Sequence, residues 1–162
     1  MNKIEFVTLY NRELDKFQNE VDAYTTDDQM WTILPGTINS GGNLAQHLIG
    51  NLRTYIGLTL GEIPYLRNRD AEFKERLFTK GSLSAEIEIL KQLIESSISG
   101  LSEEDLQSEY SKDVLPMFPE QTVNIILTHL LIHLGYHLGQ LNYHRRTTEA
   151  SQGRLEFFAK NA

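Results

Sequence analysis

The sequence predicts an all-α protein: a four-helix bundle with a long fourth helix and short additional helices. Three observations predict it. Apolar residues recur at steps of three and four in four separate stretches, the signature of one buried helix face. The breaks between those stretches are rich in Gly, Pro and small polar residues. Strand-like alternation, internal repeats and low-complexity tracts are all missing from the sequence. Four substantial helices in 162 residues fit a single domain, residues 1–162, with up-and-down or crossover connections.

The first helix is expected over about residues 3–23, where Val7, Tyr10, Leu14, Phe17 and Val21 form one face. "TTDDQMWTILPGTINSGG" follows as a loop, and Trp31 within it is read as a plug for one end of the bundle. A second helix starts near Ser40 to Asn43 and runs to about Leu60, with Gly61 as its stop. The next stretch is the longest irregular one, punctuated by Pro64, with a turn or two of helix in "AEFKERL". A third helix begins at Ser82 or Ser84 and ends at Gly100. "SEEDLQSEY" adds a short turn capped by Ser102. The fourth helix is expected over about 119–146, with Pro119 in its first turn and a length of roughly 40 Å. "GRLEFFAK" reads as a separate short C-terminal helix.

Composition narrows the function classes. The chain has no cysteine, which excludes a disulfide framework, a thiolate metal site and a cysteine nucleophile. A net charge of -7 argues against nucleic acid as a partner, because the only dense basic spots are Arg67 to Arg69 and His144 to Arg146. No apolar run suits a signal peptide or a membrane span, so a soluble, cytoplasmic protein is expected.

Four of the five histidines fall in "THLLIHLGYHLGQLNYHRR". At ~100° per residue, with His129 at zero, His133, His144 and His137 lie at about 40°, 60° and 80°. Leu130, Leu134, Leu138 and Leu141 occupy about 100° to 180°, so the histidine stripe borders the core stripe. Histidines four apart on a helix can chelate one divalent ion. His129–His133 and His133–His137 have the same spacing, and the wheel does not choose between them. His47 supplies an inward-facing candidate from the second helix. Three imidazoles from two facing helices make a metal site with an open fourth position.

"NLAQHLIGNL" and "HLGYHLGQLNYHRR" resemble the two signature segments of the DinB-like (YfiT-like) superfamily of metal-binding four-helix bundles. The resemblance extends over most of the chain, and "RNRDAEF" is similar to a branch of that superfamily with no settled function. Its most specific element is H-x-x-x-H-x-G-Q, here His133, His137, Gly139 and Gln140. It implies a histidine triad of His47, His133 and His137 around a divalent ion, zinc or nickel. His129 is then a neighbour of the ion or an ordinary helix residue. His144, ~10 Å along the axis from His137, is a bundle-end histidine. Asn43, Asn51 and Gln140 are candidate partners for the outer ring nitrogens. Gly135 and Gly139 leave a side-chain-free strip where a helix or a second subunit could approach.

The resemblance further implies an enzyme that activates a low-molecular-weight thiol for S-transfer, or water for hydrolysis, and a homodimer. The alternative is a non-catalytic metal-binding or interaction module. The sequence identifies no catalytic residue. Glu62, Asp70 and Glu72 reach the histidines only if the long loop folds over them, and Arg67 and Arg69 in that loop are candidates for an anionic substrate.

Overall fold

Each long helix begins where a side chain can bond the free amides of its first turn, the last included, where Thr122 Oγ1 accepts from Ile125 N–H. Asn2 caps α1 (Lys3–Asp22), and Glu5 reaches back to the Asn2 amide. Thr26 caps the short α2 (Asp27–Trp31). Ser40 and Asn43 form the same reciprocal pair at the start of α3 (Gly41–Leu52). Asn68 caps α4 (Arg69–Lys74). Thr79, paired with Ser82, starts α5 (Lys80–Ser99) earlier than the expected Ser82 or Ser84. Ser102 and Asp105 start α6 (Glu103–Gln107) as expected. α7 spans Val123–Lys160. The structure, a computed structural model, describes residues 1–160, with side chains through Glu149.

The four long helices α1, α3, α5 and α7 form a ring in which α1 and α3 each pack against both α5 and α7. The side-chain contacts fix their directions. Met1 meets Asn124 at one end of α1 and Arg145 meets Glu20 near the other, so α1 and α7 run parallel. Arg53 bonds Glu86 at 2.6 Å, and a Cβ on Gly61 would meet Ser97, so α3 and α5 run parallel. Parallel neighbours need a long return path. Residues 59–79 supply it, and this crossover carries α4 past the side of α3. The bundle is therefore of the crossover kind.

Three boundaries differ from expectation. The second helix does reach residue 58, but as a π-helical turn, Arg53–Leu58, continuing α3. α7 starts at Val123 rather than Pro119. Residues 121–123 stay extended because their backbone pairs with 108–110: Tyr110 N–H donates to Gln121 O at 2.9 Å and Val123 N–H to Ser108 O at 3.0 Å. At its other end α7 runs on through "GRLEFFAK" without a break. The only breaker there is Gly153, which weakens a helix without ending it. How the "GRLEFFAK" side chains pack lies outside the described residues.

The core is continuous, from Phe6, Tyr10 and Phe17 on α1 to Leu130, Leu134 and Leu141 on α7. Trp31 does sit in that core, but it ends the short helix α2 rather than lying in a loop. Its ring packs so closely on α3 that a Cβ at Gly42 would fall 2.5 Å from it. Gly135 and Gly139 face open space among the described residues. Among the described residues, no helix is long and apolar enough to cross a membrane.

Candidate metal centre

Every residue of α3 is buried, including the polar Asn43, Gln46, His47 and Asn51. Buried polar groups must find partners, and three of these four find them in the crossover. Asn43 Nδ2 donates to Glu72 O at 3.0 Å. Gln46 Nε2 donates to Glu72 O and to Glu75 O, and Gln46 Oε1 accepts from Leu77 N–H. These bonds fasten α4 to α3 and bring the Glu72 side chain against His47. Glu72 Oε2 accepts from His47 Nδ1 at 2.9 Å. Arg67 grips the same carboxylate with two bonds, Nε to Oε1 at 2.7 Å and Nη2 to Oε2 at 2.8 Å.

The carboxylate fits because residue 50 is glycine. A Cβ there would lie 2.0 Å from Glu72 Oε1 and 2.9 Å from Cδ. Burial acts to raise the Glu72 pKa, but the hydrogen bonds from Arg67 and His47 outweigh it and hold the carboxyl below its ordinary value. Phe73 lies against the His47 ring, centroids 5.0 Å apart.

α7 brings His133 and His137 to the opposite side of His47. Both ring centroids lie 5.3 Å from that of His47, and one nitrogen from each of the three rings falls within 4.8 Å of the others. Among the described residues this is the one histidine or carboxylate group so arranged. The hydrogen bonds assign the ring protons. His47 Nδ1 faces a carboxylate and must donate. His137 Nδ1 donates to Gln140 Oε1 at 2.7 Å. Nε2 is thus left on both rings for an ion. His137 Nε2 lies 3.1 Å from His133 Nε2. Two nitrogens on one tetrahedral zinc would be about 3.3 Å apart, given bonds of roughly 2.0–2.1 Å. His133 Nδ1 is buried without a hydrogen-bond partner among the described residues. Burial, followed by the neighbouring His137 and His47, pushes the His133 pKa down to about 4. Burial also lowers that of His137. The donor set fits a divalent cation: three imidazole nitrogens converge within 4.8 Å, and the His133 and His137 rings resist protonation.

The other sequence candidates fall around this centre. Gln140 is placed as the partner of His137. Asn51 is buried beside the site, but its Oδ1 has no partner among the described residues, and the bond to His47 comes from Glu72 instead. Asn43 Oδ1 accepts from the Ser40 N–H at the start of α3, and its Nδ2 holds the Glu72 carbonyl rather than a ring nitrogen. His129 lies one turn off, its ring 6.4 Å from His133 and 6.0 Å from Phe118. His144 is far from the triad and is buried: its Nδ1 accepts from Tyr24 O–H at 2.7 Å and its Nε2–H donates to Thr32 O at 2.8 Å. Glu62 and Asp70 have no place at the histidines, while Glu72 does. Sequence reasoning missed Gln46 and Gly50. The signal available was a run of polar residues and a glycine on a helix whose neighbours are all apolar.

Beside His137 the surface opens into a groove of about 1050 Å³ between α7 and residues 34–39. His144 pins the base of that rim through Thr32. Burial holds the His144 pKa below its ordinary value of 6.5, against the Thr32 bond, which raises it. Its neutral form is therefore the one the fold favours. Stability from this group is complete above pH ~6.5. It is lost as pH falls from there through the lower folded value, because the unfolded chain takes up its proton first. The wild type should lose thermal stability below pH ~6.5 more steeply than His144→Gln. The difference in slope is at most about 1.4 kcal/mol per pH unit for one proton. Parallel melting curves from pH 7.5 to 5 would rule this out.

Comparison with known proteins agrees with the fold. Two solved structures superpose along nearly their whole length. One is a DinB-like protein from Bacillus cereus ATCC 10987, with 16% identity, 89% of this chain and 91% of that one covered, and a TM-score of 0.69. The other is a conserved protein from Enterococcus faecalis, with 19% identity, 93% and 99% covered, and a TM-score of 0.72. The fold is thus that of the DinB-like helical proteins. No curated protein matches the sequence. Residues 4–156 match the family model described as "Protein of unknown function (DUF1572)", and by that match, over nearly its full length, the chain belongs to this family.

Proposed function

We propose that the chain is a divalent-metal-dependent enzyme in which His47, His133 and His137 hold one ion and the groove beside His137 receives a small-molecule substrate. The observation that carries this reading is the convergence of three imidazole nitrogens within 4.8 Å, with His137 also lining the groove. An ion held by three histidines has a further position for a thiol or water, whose pKa it lowers.

The chain's own residues prepare that position. Glu72, fixed by Arg67, keeps the His47 proton at Nδ1 and sets the ring's orientation. Gln140 does the same for His137. Phe73 covers one side of His47 and keeps water from it.

Of the two chemistries, thiol transfer is the better supported. A hydrolase gains from a free carboxylate that takes a proton from water. Glu72 is the carboxylate at the site, and its oxygens are already engaged by Arg67 and His47. Its lowered pKa makes it a weak base. A thiol held as its thiolate needs no such base.

The test is conjugation of a low-molecular-weight thiol to chlorodinitrobenzene by zinc- or nickel-loaded protein, with ester hydrolysis run in parallel. Conjugation should stop with a chelator and return with metal. Stoichiometric metal binding with neither activity would favour a non-catalytic metal-binding module.

A further inference from the structure

We propose that the groove between α7 and residues 34–39 binds the apolar body of an uncharged co-substrate and excludes charged ones. The word co-substrate rests on the catalytic reading of the metal centre, but the binding itself does not.

The first observation is charge. Among the described residues thirteen line the groove, none of them Asp, Glu, Lys or Arg, in a chain that is 23% charged. Along the wall away from the metal centre, a charged ligand would give up water and meet no counter-charge among the described residues. The loop arginines, the sequence candidates for an anionic substrate, are committed elsewhere. Arg67 holds Glu72, and Arg69 lies over the Phe73 ring, 5.7 Å from its centroid.

The second observation is exposed apolar surface. Ile38, Tyr136 and Tyr143 are 87%, 63% and 75% exposed, and all three line this groove. Large exposed apolar side chains that converge, rather than scatter, mark a binding surface. Tyr136 and Tyr143 stand two turns apart on α7, so the apolar wall extends roughly 10 Å along the helix. The groove's volume is that of a site for a small organic molecule.

The third observation is that the rim is formed in advance. Pro35 and Gly36 occupy the centre of a tight turn closed by Thr37 N–H donating to Leu34 O at 3.0 Å. Gly36 has φ +79°, which that turn requires at its third residue. Behind it, the His144 bond to Thr32 O ties the loop to α7. His137 stands in the wall, so a ligand lying along the two tyrosines meets the metal centre.

The experiment is calorimetric titration of the full-length protein with 2-naphthol and with 2-naphthalenesulfonate, which share a ring system and differ in charge. Naphthol should bind at least about tenfold more tightly than the sulfonate. Ile38→Asp and Tyr143→Ser should each weaken naphthol by about tenfold, as expected for loss of one apolar contact surface. Zinc affinity should be unchanged in both variants. Equal binding of the two probes, or unchanged naphthol affinity in both variants, overturns the proposal. So does a protein that sediments as a dimer with Tyr136 and Tyr143 buried between copies. Failure of the wild type to bind zinc would strike the metal reading alone, because the naphthol comparison needs neither metal nor turnover.

Discussion

His47→Ala should abolish tight binding of zinc and nickel while leaving the bundle folded. Outer partners of metal-bound histidines typically contribute 10–100-fold in affinity, and removal of a ligand should cost more than that. The fold survives because the change leaves the Glu72 carboxylate gripped by two Arg67 bonds. The metal-free variant should therefore unfold near the wild-type urea midpoint. The difference appears on adding metal. A ligand present at a thousand times its Kd raises stability by about 4.1 kcal/mol, and the variant should lose nearly all of that rise. His129→Ala is the control. Its ring lies 6.4 Å from His133 and outside the triad, so metal should stabilise that variant as it does the wild type. Zinc titration of the His47 variant with wild-type affinity would sink the ligand assignment.

His47 and the H-x-x-x-H motif are legible in the sequence because helical spacing converts directly into shared faces. The wheel left two equal pairs, however; the H-x-x-x-H-x-G-Q resemblance chose His133 and His137, and packing supplies the physical reason the wheel could not. His47 lies within 5.3 Å of both the His133 and the His137 rings, and His129 is beyond His133. The long helices were legible for the same reason, their faces being local patterns. The start of α7 was not. Pro119 suits a first turn, but pairing of residues 121–123 with 108–110 holds the chain extended, and that pairing is non-local. Glu72 illustrates the same limit at the site. It stands 25 residues from His47, in a stretch with weak periodicity, and nothing nearby in sequence announces its partner. The clue lay instead in α3, where Asn43, Gln46 and Gly50 interrupt an apolar helix. Two of them bond the crossover backbone, and the third makes room for the carboxylate.

Glu72 should accordingly be the residue whose loss damages both the fold and the centre. Its carboxylate is 3% exposed and carries three hydrogen bonds. Glu72→Ala leaves the Arg67 guanidinium, whose side chain is only 11% exposed, without its counter-charge. Breaking such a buried pair costs about 3–5 kcal/mol, readable as a lower urea midpoint of the metal-free protein. Glu72→Gln keeps the shape but removes the charge and turns one oxygen into a donor facing the Arg67 donors, so it should fall between wild type and Ala. For metal, Glu72→Ala loses the acceptor that fixes the His47 ring and affinity should drop by roughly 10–100-fold, while Glu72→Gln keeps a single oxygen for His47 and Arg67 to share and should show a smaller drop. Gly50→Ala separates charge from position. The carboxylate stays, but a Cβ 2.0 Å from Oε1 forces it away from His47 and Arg67. Lowered metal affinity in Gly50→Ala, with residue 72 untouched, would assign the effect to placement of the carboxylate rather than to its charge. Wild-type metal affinity in both Glu72→Gln and Gly50→Ala would reduce Glu72 to a counter-ion for Arg67 and remove it from the centre.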